Sequence, residues 1–136
     1  MQISWPQPIR PILRTFLLAI ATIGAATPTF AQSLDVPIIE RAEDDLDTCS
    51  FGRVVRLKAG GDGFLAVRTG PGSKFRKIDE IHNGDDVWLF DQRGAWIGIV
   101  YGVSQVDCSP IKQNRPVPDI GKKGWVHEKW IDVIAG

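Results

Sequence analysis

Between Phe51 and Ile134 the chain breaks into short β-type segments separated by glycine turns, and this punctuation limits its fold more than any other feature. Leu65 and Val67 alternate with Ala66 and Arg68, which places Leu65 and Val67 inward on a half-buried strand. That strand runs into the turn Gly70-Pro71-Gly72. Val54-Val55-Arg56-Leu57-Lys58 reads as an earlier strand, followed by a turn at Gly60-Gly61-Asp62-Gly63. Ile78 and Ile81 flank the next segment, and His82-Asn83-Gly84-Asp85 turns the chain again. Val87-Trp88-Leu89-Phe90 is apolar on both faces, as expected where a strand passes from a core to a covered outer face. Asp91-Gln92-Arg93-Gly94 reads as a hairpin turn before Trp96–Tyr101, and Gly124-Trp125-Val126 and Ile131–Ile134 are the last strands. No segment after the N-terminal region carries a sustained helical stripe. The prediction is an all-β domain of five to seven short strands, without βαβ units.

The first 31 residues read as an export signal. Arg10 and Arg14 precede the apolar run Phe16–Ala26, and Thr29-Phe30-Ala31 offers small residues where a signal peptidase cuts, here after Ala31. The run falls short of the roughly 20 residues that a spanning helix needs. No cysteine follows it closely and twin arginines are absent, which points to ordinary unfolded export without lipid attachment. Cleavage removes two of the 16 basic residues and none of the 16 acidic ones, leaving a net charge of −2. Such a balance gives no general pull toward nucleic acid or anionic membranes. The expected location is periplasmic or secreted, without a membrane span after cleavage.

Cys49 and Cys108 are the only cysteines. An even pair in an exported chain most simply forms one disulfide. The competing reading is a catalytic thiol with a histidine partner. Residues 32–50 carry Glu40, Glu43, Asp44, Asp45 and Asp47 with few apolar residues to bury, and read as an acidic, flexible lead-in. Residues 51–136 form the domain. Between Tyr101 and Gly124 lies a stretch of proline, glycine and polar residues longer than an ordinary hairpin loop. A Cys49–Cys108 bridge would staple this 102–123 insertion to the lead-in across one side of the domain.

In order along the chain stand Val67-Arg68-Thr69-Gly70-Pro71-Gly72, Ile78 and Ile81 before Gly84-Asp85, Val87 and Leu89, Trp96, and Gly124-Trp125-Val126. Together these resemble the bacterial SH3 (SH3b) domain over roughly Arg53 to Ile134. The resemblance implies a small SH3-like barrel, to which the cysteine pair adds the disulfide-tethered insertion. It also implies a non-catalytic binding module whose partners are cell-wall (peptidoglycan) peptides or envelope proteins. The tail Gly124–Ile131 looks like the closing segment of eukaryotic SH3 domains, where a single 3₁₀ turn precedes the last strand. By position, Trp96 and Trp130 would line the peptide groove. His127 stands where that motif has proline, and the tyrosine pair of the first loop is absent.

Trp96, Tyr101 and Trp130 are the candidate ligand-binding residues, since exposed aromatics anchor ligands by stacking and burial. Trp125, between Gly124 and Val126, reads as core, and Trp88 as lying under the insertion. Arg68, with Gly70 and Pro71, reads as a structural turn in which the guanidinium bonds backbone carbonyls. Phe75 is expected on the rim of the domain. Asp85-Asp86 lacks the ligand spacing of a calcium loop, and His82 and His127 lack a third zinc ligand. The glycines at 60–63 lack the helix that a phosphate loop requires. Arg115-Pro116-Val117-Pro118 reads as a rigid loop or a short polyproline segment. No catalytic set and no cofactor is predicted. The alternatives to a wall-peptide binder are a regulatory or inhibitory module acting through the 102–123 insertion, and a small wall hydrolase.

Overall fold

A computed structural model describes residues 2–9, 24, 33–58 and 63–136. The signal-like run and the turn at Gly60–Asp62 lie outside the described residues. Among the described residues nine strands follow in order: β1 Ile39–Glu40, β2 Ser50–Val54, β3 Leu65–Arg68, β4 Lys77–Ile81, β5 Asp86–Arg93, β6 Trp96–Tyr101, β7 Arg115–Pro116, β8 Lys122–His127 and β9 Ile131–Ala135. A single 3₁₀ turn, Glu128–Trp130, joins β8 to β9. Among the described residues no helix is long and apolar enough to cross a membrane.

Seven strands form one antiparallel sheet in the order β4-β3-β8-β6-β5-β2-β9, and β1 pairs with β7 in a second, two-stranded sheet. The large sheet is open, with β4 and β9 at its two edges. The chain is therefore all-β, but its strands do not close by hydrogen bonds into a barrel. Edge β4 ends the sheet with Lys77 and Glu80, both exposed and paired with each other at 2.5 Å, rather than with another strand. The sheet nevertheless bends around one core. Ile81 at one edge and Ile131 at the other belong to the same buried cluster as Val54, Val67, Val87, Ile99 and Val126.

The other face of the sheet carries a second core, built from Ile38, Val100, Val117 and Trp125. Alternation explains the division: Val87 and Leu89 point to the first cluster, whereas Trp88 and Phe90 pack against the second. Both faces of β5 are apolar because both are covered.

The cover is the lead-in together with the insertion. The sequence predicts a flexible lead-in with little to bury. In the structure Leu34, Val36 and Ile38 all pack on the second core, and Ile38 is only 2% exposed. The reason is a period of two: these three apolar residues share one face of an extended segment. Ile38 lies so close over the sheet that a Cβ at Gly98 would sit 2.7 Å from it. Only glycine permits that approach.

Main-chain bonds fix the same segment. Val36 N–H donates to Thr69 O at 3.1 Å, and the Trp125 indole N–H donates to Val36 O at 2.8 Å. The disulfide joins Cys49 to Cys108, and Thr48 N–H donates to Cys108 O at 2.8 Å beside it. The pairing predicted from the cysteine count is present. The 115–118 segment is neither a loop nor polyproline alone: Arg115–Pro116 forms β7, and Val117 is buried.

Two other expectations are corrected. The first strand starts earlier than Val54, at Ser50, and Arg56 adopts φ 62°, outside any strand. The hairpin turn is Gly94–Ala95 rather than residues 91–94, so Asp91 lies within β5 and is 2% exposed. Its carboxylate accepts from Ile39 N–H at 3.1 Å and from the Arg41 guanidinium at 3.0 Å. A buried carboxylate requires such partners; these two come from the lead-in, some 50 residues away in sequence, and Arg93 adds a local ion pair at 3.3 Å.

Candidate functional site

Trp96 opens β6 and Trp130 ends the 3₁₀ turn, and the chain reversal at β8 brings both to one end of the sheet. Register places Trp96 opposite His127. Their rings meet edge-on with centroids 5.4 Å apart, a favourable geometry for two quadrupoles. The His127 Nδ1 accepts from Lys129 N–H at 3.1 Å, which caps the 3₁₀ turn and leaves the neutral ring's proton on Nε2. The turn holds Trp130, which packs partly on the first core. Lys129 Nζ sits 5.0 Å from the Trp130 ring centroid.

Between these walls runs an open cleft of about 500 Å³, floored by Phe64, Leu65 and Ala66 and also lined by Arg68 and Lys77. Lys77 Nζ stands 4.6 Å from the Phe64 ring centroid. The cleft is thus an aromatic groove edged by cations. Two of the three sequence-predicted binding residues, Trp96 and Trp130, lie in it.

Tyr101 does not. It belongs to the first core, is 5% exposed, and faces a different cleft of about 420 Å³ lined by Asp79, Glu80, Asp85, Asp86 and Lys122. Five residues separate Trp96 from Tyr101, and an odd separation along a strand puts two side chains on opposite faces. The Tyr101 hydroxyl donates to Asp79 Oδ2 at 2.9 Å. Burial first, then this bond and the negative charge of Asp79, push the phenol far above its usual value. Burial works to raise the Asp79 carboxyl. It is outweighed by the Glu80 N–H, the Tyr101 hydroxyl and Lys122, so the carboxyl lies below its ordinary value.

The glycine-proline turn next to the groove is tightly packed. Arg68 Nη1 donates to Phe75 O at 2.9 Å, closing the loop that Gly70 and Pro71 begin. Phe75 lies flat against Gly70, where any Cβ would collide with its ring. Phe64 and His127 were absent from the predicted site. Phe64 immediately precedes an alternating strand, and this position was the available signal.

Among the described residues no group of three or more His, Cys, Asp or Glu could hold a metal ion. Both sulfurs are consumed in the disulfide. Comparison with protein-family models, with curated proteins and with solved structures gives no match.

Proposed function

We propose that this chain is an exported, non-catalytic binding module of SH3b type in the cell envelope. It would grip a peptidoglycan peptide or a segment of an envelope protein in the Trp96–Trp130 groove. The observation that carries this reading is the convergence of two tryptophans, distant in sequence, on one open cleft. Partly exposed aromatic walls are the usual anchors of a peptide. The SH3-like part of the reading draws on the sheet curled around one core, and on the single 3₁₀ turn before a last strand that returns to pair with β2. Export draws on the N-terminal pattern and on a disulfide, which persists in oxidising compartments.

The insertion-based alternative is weakened because Val103, Val106 and Val117 are committed to the second core. A thiol hydrolase would need a free sulfur, and the bridge takes both.

Titration with soluble muropeptides, followed by the indole N–H resonances, tests the reading. Trp96 and Trp130 should shift and Trp125 should not. Trp96→Ala should weaken binding by about tenfold or more, the loss of a hot-spot anchor. A groove that stays unshifted at about millimolar ligand, with envelope extract proteins also failing to bind, would rule the proposal out.

A further inference from the structure

We infer that the groove is built for an acidic peptide, one whose free carboxylate seats on the Arg68 guanidinium while its apolar part lies between the tryptophans. This rests on the groove reading above and adds the sign of the ligand's charge.

No aspartate or glutamate lines the groove, whereas Arg68, Lys77 and His127 do. Lys77 is already neutralised by Glu80 at 2.5 Å. Arg68 is not. Each ion pair among the described residues uses a different cation. Among the described residues its guanidinium donates one hydrogen bond, to the Phe75 carbonyl, which carries no net charge. That bond ties down a single N–H of the five a guanidinium offers and holds the group in place. An arginine fixed in this way has lost little orientational freedom still to be spent on binding, and its remaining N–H groups suit a carboxylate fork.

The neighbouring cleft, reached across the β3–β4 pair, has the reverse sign. Asp79, Glu80, Asp85 and Asp86 line the Tyr101 cleft, with Lys122 as the only cation among its lining residues. An anionic peptide is repelled there and drawn to the groove. Among the described residues, the one groove cation without a carboxylate partner stands between aromatic walls and matches one carboxylate beside apolar surface. A polyanion would need a row of unpaired cations.

The test titrates the full chain with N-acetyl-D-alanyl-D-alanine, as free acid and as C-terminal amide, reading the Trp96 and Trp130 indole resonances. The acid should bind about tenfold more tightly, and the advantage should shrink as salt is raised. Arg68→Gln should erase the difference between acid and amide, and Arg68→Lys should restore part of it. An unfolding curve for each variant separates loss of charge from loss of the turn. Because the acid-to-amide ratio is read on the unaltered protein, the inference stays testable even if both variants unfold. Equal binding of acid and amide would overturn it and leave the groove reading intact. Failure of both to bind at about 10 mM would overturn it together with the groove as a wall-peptide site. Polyphosphate displacing the acid peptide would overturn it in favour of a polyanion.

Discussion

The two faces of the large sheet are covered in different ways. The concave face needs nothing but the sheet: its strands, some joined by short turns and others paired across long sequence separations such as β2 with β9 and β3 with β8, bend until their own side chains meet around Val67, Ile99 and Val126. The convex face is covered by borrowed chain. Ile38 comes from before the first sheet strand and Val117 from the insertion, and both land on Trp125 and Val100. What holds them is also different. At the first core the Tyr101 hydroxyl is tied to Asp79. The second is ringed by a disulfide and two buried carboxylates: Glu40, bonded to Thr48 at 2.7 Å and Arg115 at 2.6 Å, and Asp91. A cover made from segments far apart in sequence has a large loop entropy to overcome, and cross-links reduce it.

The sharpest way to break this contrast is to cut the bridge. Its cysteines are 59 residues apart, and the chain-entropy relation then gives a loss of about 4 kcal/mol for Cys49→Ala with Cys108→Ala. Denaturant unfolding should show it, along with solvent access to the Trp125 indole. A loss confined to a few tenths of a kcal/mol would mean that the cover holds itself.

Next in size is a matched pair of truncations. Ile38→Ala and Ile99→Ala should each cost about 3 kcal/mol, because both side chains are fully packed. Equal values in urea melts would make the lead-in a full member of the fold. A near-zero value for Ile38→Ala alone would make it an accessory.

Arg115→Ala is expected to lower the urea midpoint by less than either core truncation, because its side chain is half exposed at 53%. Adding Glu40→Gln should recover much of that, since no buried charge is then left without its cation. If the double variant is worse than the single, Glu40 stabilises through something other than charge.

The smallest effects are pH-dependent and report on the first core. Tyr101 is the only tyrosine in the chain, so tyrosinate absorbance reads it alone. Its raised value means that the folded state holds the proton more tightly. The stabilisation is therefore present below about pH 10 and is lost as pH climbs toward the folded value. The native protein should show no tyrosinate at about pH 10.5, where the unfolded chain is mostly ionised. Asp79 has the opposite sense. Its lowered value contributes above about pH 4 and fades as the solution is acidified through the folded value, so Asp79→Asn should flatten the acid limb of the stability curve.

What could be read from the sequence follows this same division. Strands β3, β5, β6, β8 and β9 announce themselves because period-two alternation is a local property, and Val87–Phe90 even signals that its outer face is covered. The identity of the cover is not local. Leu34, Val36 and Ile38 do alternate, but the acidic residues that follow mask the signal. Asp91 reads as a turn residue because the Arg41 and Ile39 groups that make its burial tolerable come from another part of the chain. The site was half legible for a geometric reason. Trp96 and Trp130 could be named by their places in a motif, whereas placing Tyr101 in a separate cleft requires counting faces along β6.

The pairing of Ile39–Glu40 with Arg115–Pro116 also dictates a timetable. A ribosome makes β1 early and β7 late, so the convex surface lacks part of its cover until most of the chain has emerged. Until then Trp88 and Val100 are greasy surface in search of a neighbour. Any chain cut short before residue 115 would keep that surface permanently, which makes prematurely ended copies the natural clients of chaperones and proteases.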